Sequence, residues 1–148
     1  MDTLNKGGVQ MEVKWLIIAR DFEVKDNASL SIYEILDTIS FNHEPPYETK
    51  LKLIARMNIE PIETDGTVII KVQINEKGEG VFASEEYKYP VVTLLQWATK
   101  IPVFTVDFGI ISFVNTGEYC FEIYLNGELK GSEWLIIDAK YGGENGEI

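Results

Sequence analysis

The stretch Gly117 to Asp138, GEYCFEIYLNGELKGSEWLIID, decides the fold, because it reads as a β-hairpin. Tyr119, Phe121, Ile123 and Leu125 alternate with Glu118, Cys120, Glu122 and Tyr124, the period of a strand with one buried face. Asn126-Gly127 follows at once, a pair that accepts the positive φ values of a type I′ turn, whose twist matches the strands it joins. A return strand runs through Trp134, Leu135, Ile136 and Ile137. The hairpin predicts antiparallel β architecture and carries no chemistry of its own.

The same alternation recurs outward from this hairpin. Val13 to Val24 (VKWLIIARDFEV) reads as a first strand with Val13, Trp15, Ile17 and Ala19 on one face and Leu16 and Ile18 on the other. Leu30 to Phe41 reads as a single second strand, after a turn at Lys25-Asp26-Asn27. The loop Asn42 to Thr49 contains two consecutive prolines, which cannot donate to a ladder. Leu51, Leu53, Ala55, Met57 and Ile59 then alternate inward, as do Val68, Ile70, Val72 and Ile74, and Asp65-Gly66 between them predicts one hairpin. Val81 to Tyr89 is a further strand. Val91, Leu94, Leu95 and Ala98 fall at helical spacing behind Pro90, predicting a short helix or turn across one end of the domain. Val103 to Val114 is again β in composition, with Gly109 marking a bulge. About seven or eight strands with at most one short helix predict an all-β fold, an immunoglobulin-like antiparallel β-sandwich.

The 148 residues suffice for one domain with a substantial core, and 45% of them are apolar. We expect residues 1–10 to be a disordered leader, residues 11–140 the sandwich, and residues 141–148 (YGGENGEI) a flexible acidic tail. The single cysteine excludes an intramolecular disulfide framework and favours a reducing compartment. No apolar run reaches the ~20 residues of a membrane-spanning helix, and the N-terminal stretch lacks a signal-peptide core, so a cytoplasmic location is expected. The formal charge of −11, with lysines scattered singly, opposes binding to nucleic acid or to an anionic membrane.

Two resemblances follow from these residues. Gly117-x-Tyr119-x-Phe121 resembles the entry to the penultimate strand of immunoglobulin-like sandwiches, where a tyrosine bonds back to the preceding corner. In disulfide-bonded members a cysteine sits two residues beyond that tyrosine. Here Phe121 holds that position, so the antibody-like pattern is not met. Over most of its length the chain also resembles a bacterial family of small cytosolic β-sandwich proteins of unknown function, through VKWLIIARDFEV, Leu30-Ser31-Ile32-Tyr33, the LIAR at Leu53 to Arg56, and the late G-x-Y-x-F-E-I. That resemblance implies a small single-domain sandwich and no catalytic residues.

The search for chemistry points away from turnover. His43, the one histidine, lies beside Glu44 in the Pro-rich loop and reads as a solvated side chain. No G-x-S-x-G nucleophile motif and no glycine-rich phosphate loop is present. Cys120 is expected to face outward between Glu118 and Glu122, which raise a thiol pKa and leave it inert. Zinc lacks ligands; Asp21, Glu23, Asp26, Asn27 and Asp107 leave a loop-based calcium or small-molecule site as the alternative reading. We therefore expect a non-enzymatic protein-interaction or structural module without cofactor, meeting a protein partner or a second copy. Strands apolar on both faces suggest the surface: Leu16, Ile18, Leu135 and Ile137, with Tyr33, Ile35 and Ile39 as further surplus, unless the Val91 to Trp97 segment covers them.

Overall fold

The computed structural model describes residues 9–25, 29–61, 66–98 and 103–140. Their order is β1 (Val9–Val24), β2 (Leu30–Ile35), β3 (Thr38–Phe41), β4 (Tyr47–Pro61), β5 (Thr67–Glu76), β6 (Gly80–Pro90), α1 (Val91–Ala98), β7 (Val103–Phe113), β8 (Gly117–Leu125) and β9 (Glu128–Ala139). The strands form two sheets, β2-β1-β4-β7 and β3-β9-β8-β5-β6. The expected all-β sandwich with one short helix is what the chain adopts. Val9 and Gln10, assigned above to a leader, already belong to β1. The remaining leader, the turn residues Asp26 and Asn27, Asp65, and the tail 141–148 lie outside the described residues.

The final hairpin forms as expected. Asn126 and Gly127 take φ values of 48° and 87°, and β8 and β9 pair antiparallel. The inward rows also hold: Leu51, Leu53, Ala55 and Met57 on β4, Val68, Ile70, Val72 and Ile74 on β5, and Tyr119, Phe121, Ile123 and Leu125 on β8 share one buried core. Aromatic contacts span it, with Phe113 and Tyr119 at 4.7 Å and Phe108 and Phe121 at 5.7 Å between ring centroids.

Three expectations are corrected. The stretch 30–41 is two strands, because the chain changes sheet at Leu36-Asp37. Leu36 N donates to Ile18 O in one sheet, while Asp37 O accepts from Ile136 N in the other. As a result β3 runs parallel to β9, the one parallel pairing among the described residues, and the strand count there rises to nine. Secondly, β4 and β5 are not a hairpin; they lie in opposite sheets and face each other through the core, an arrangement that matching inward rows permit equally well. Thirdly, β1 carries a bulge. Val13 pairs with Met57 and Trp15 with Arg56, leaving Lys14 as an extra residue that reverses the facing of everything after it.

The expected bulge at Gly109 is present: Leu51 pairs with Gly109 and Lys52 with Asp107, so Phe108 is the extra residue, and Gly109 has φ +63°. Helix α1 buries Val91 and Leu94 in the core and lies against β4 and β6, while its N-terminal amide, Val91 N, donates to Gly66 O.

Candidate functional site

The four residues expected to form a contact surface lie in the core. Leu16, Ile18, Leu135 and Ile137 are 8%, 1%, 0% and 1% exposed. On β1 the Lys14 bulge explains the reversal: Val13 packs against the main core, and beyond the bulge Leu16 and Ile18 take over that side. Trp15, Ile17 and Ala19 turn to the opposite face, where Ala19, Ile54 and Val103 form a second buried cluster. On β9 both rows are apolar, so alternation alone does not say which faces in. The pairing decides: Leu135 stands beside Tyr119 and Ile137 beside Gly117, placing Trp134 and Ile136 outward at 44% and 42% exposure. Of the other surplus positions, Ile39 is buried, while Tyr33 and Ile35 are exposed on β2.

On the five-stranded sheet the exposed apolar residues gather along the outward row of β9, while Tyr33, Ile35 and Ile110 stand exposed on the four-stranded sheet. Strand pairing places Trp134 opposite Cys120, Ile136 opposite Glu118, and the half-exposed Leu129 opposite Tyr124. Toward β5 this face is polar and ordered. Gln73 Nε2 donates to Asn75 Oδ1, Asn75 Nδ2 donates to Glu122 Oε1 at 2.6 Å, and Tyr124 Oη donates to the same oxygen at 2.7 Å. That bond holds the Tyr124 phenol above its usual pKa. Lys71 Nζ lies 4.7 Å from the Tyr124 ring centroid, a cation–π contact. Such a platform presents side chains already held in one arrangement beside apolar ones, which lowers the ordering cost of binding. Sequence reasoning missed it, although the outward row Lys71, Gln73, Asn75 was readable as the complement of the inward valines and isoleucines.

Cys120 points to this outer face, yet it is buried among its neighbours rather than exposed. Burial raises its pKa first and the Glu122 charge adds to that, conditions that disfavour the nucleophilic thiolate. His43 is exposed; its Nδ1 donates to the backbone oxygen of Glu44 at 2.8 Å, and its ring packs edge-on to Phe41. The open groove beside this loop is lined by Pro45, Tyr47, Glu76, Lys77, Glu79, Val114, Asn115 and Thr116, without His43.

The carboxylates weighed for calcium are engaged differently. Asp21 Oδ1 accepts from Lys52 Nζ at 2.8 Å, and Asp107 Oδ2 lies 3.8 Å from the same ammonium. Glu23 accepts from Tyr33 Oη. Lys52 accordingly holds the Asp21 carboxyl below its ordinary pKa. Among the described residues no group of three or more His, Cys, Asp or Glu side chains is placed to hold a metal ion. Asp26 and Asn27 lie outside the described residues. What the fold does gather there is positive charge that the sequence scatters: Arg20, Lys50 and Lys52 line one cleft of about 220 Å³ with Asp21, Asp107 and Gly109.

Among the described residues no helix is long and apolar enough to cross a membrane. A scan against models of known protein families matches none, and a search of curated proteins finds no significant relative.

Proposed function

We propose that this chain is a non-enzymatic interaction module of immunoglobulin-like topology that associates with a second copy of itself through the outer face of its five-stranded sheet. The observation that carries the reading is the outward row of β9, where Trp134, Ile136 and Leu129 stand exposed beside the ordered Gln73–Asn75–Glu122–Tyr124 network. Tryptophan and tyrosine are the residues that most often dominate binding energy at protein interfaces, and a rim of ordered polar groups supplies register. The charges on this face are largely paired within one copy: Lys71 stands opposite Glu86, Lys77 Nζ donates to Glu118 at 3.4 Å, and Lys140 Nζ lies 3.9 Å from Asp138, so the apolar row is what a second copy would meet.

The immunoglobulin-like reading draws on the strand order, on β3 running parallel to the last strand, and on Tyr119 Oη donating to Asn115 O at 2.7 Å, the corner bond expected from its place at the start of β8. A cytoplasmic site of action accords with the unpaired buried cysteine.

Sedimentation equilibrium over a broad concentration range tests the association. A concentration-dependent monomer–dimer equilibrium is expected, weakened by about tenfold or more in Trp134→Asp, as for a residue near the centre of an interface. A monomer at every concentration, or association that Trp134→Asp leaves unchanged, removes this reading.

A further inference from the structure

We infer that the cleft at the β7 bulge, on the opposite sheet from the proposed contact face, binds the carboxylate of a ligand with an apolar body. The bulge creates the space: Phe108 is the extra residue, Gly109 sits at φ +63° with nothing within 4 Å of where a Cβ would stand, and Gly109 N donates to Asp107 Oδ1. Two of the three cations that converge here are only partly exposed, with side-chain exposures of 30% for Arg20 and 24% for Lys52.

The charges are unequally engaged. Lys52 is shared between Asp21 and Asp107, a trio with one net negative charge, on whose Asp21 the Lys50 charge also acts. Arg20 uses Nη1 to donate to Thr49 Oγ1 and Lys50 O, and its Nε lies 3.5 Å from Glu34, which leaves Nη2 without a bond among the described residues. Lys50 Nζ has no hydrogen bond or ion pair among the described residues. Arg20 and Lys50 together line a neighbouring groove of about 490 Å³ with Glu48, Thr49 and Ile110, continuous with the cleft through these two residues.

A guanidinium edge and an ammonium, both with free donors, line the same groove, and donors of this kind bind a carboxylate. Ile110, which is 66% exposed at the groove wall, offers an apolar surface next to it. Asp21, Asp107 and Glu48 surround the position, and their charge penalises a phosphate dianion more than a carboxylate monoanion.

Chemical-shift titration of the full chain tests the site, with benzoate and a short peptide ending in a free leucine carboxylate as the two carboxylate sources, and benzamide, the amidated peptide and inorganic phosphate as comparisons. Saturable shifts at the Lys50, Gly109 and Ile110 amides with at least one carboxylate source support the proposal, and the source that binds more tightly tells a free acid from a chain end. Lys50→Ala, at an exposed position that leaves the fold intact, should weaken that binding about tenfold. No shifts with either carboxylate, equal binding of the neutral amides, phosphate binding as tightly as carboxylate, or an unchanged affinity in Lys50→Ala would each overturn it.

Discussion

Tyr119 concentrates more of the fold's logic than any other single side chain. Its ring is fully buried between Phe113 and Phe82, and its hydroxyl reaches out of the core to Asn115 O. Tyr119→Phe keeps the packing and loses the bond, which should cost about 1–2 kcal/mol in a denaturant titration. Burial first, and then the charge of Glu76, pushes its pKa up to about 12, against about 10 for an unfolded tyrosine. The folded state thus holds a proton that the unfolded chain releases. Its contribution is complete below pH 10 and is lost as the pH rises from about 10 to about 12. Tyr87 and Tyr89 are raised by burial in the same direction. Stability should fall over that window, and less steeply in Tyr119→Phe. A stability that stays flat to pH 12 contradicts this placement of the phenol.

Asn126 works at the same scale. Besides taking the positive φ of the turn, its amide donates to Ile69 O and its Oδ1 accepts from Ile69 N, tying the β8–β9 turn to β5. Asn126→Ala loses the side-chain bond and strains the backbone. A loss of about 1–2 kcal/mol is expected, and Asn126→Gly should recover part of it. A thermal melt of both variants checks the order.

At the scale of the element, bulges decide what sequence alternation leaves open. The rows of β4, β5 and β8 were legible because only one face of each is continuously apolar. β1 was not, because it packs on both faces and Lys14 shifts its register midway; nothing in VKWLIIAR marks which residue is the extra one. β9 was half legible: its strand was plain, but its facing was set by pairing with β8. The crossing at Leu36-Asp37 was hidden because a chain that changes sheet keeps a β-like composition throughout. The same reasons account for the misplaced contact surface, since the four core residues and the exposed Trp134 and Ile136 differ by one position of register. Deleting Lys14 should therefore be tolerated. With the extra residue gone Trp15 follows Val13 directly, so Leu16 and Ile18 still face the sandwich and Trp15 and Ile17 the outside, and a cooperative unfolding transition is expected. A deletion variant that no longer unfolds cooperatively would argue against the bulge. Gly131 marks another close approach, where an added Cβ would sit 3.2 Å from Val13 Cγ1, so Gly131→Val should destabilise by about 1–3 kcal/mol through overpacking between β9 and β1.

At the scale of the whole molecule, two sheets close one core and leave outer faces of different character. The four-stranded sheet covers part of its outside with the Ala19, Ile54 and Val103 cluster and carries the mixed-charge cleft beyond it. The five-stranded sheet exposes Trp134 and Ile136 next to an ordered polar platform. A net charge of −11 works against bringing copies together, so the proposed association should strengthen with added salt. The most direct test follows the tryptophan indole NH resonances by NMR as the protein is diluted. Association through the five-stranded sheet moves the Trp134 resonance with concentration and leaves Trp15, on the other sheet, in place. A Trp134 resonance that does not move, or one that moves only at Trp15, contradicts the account.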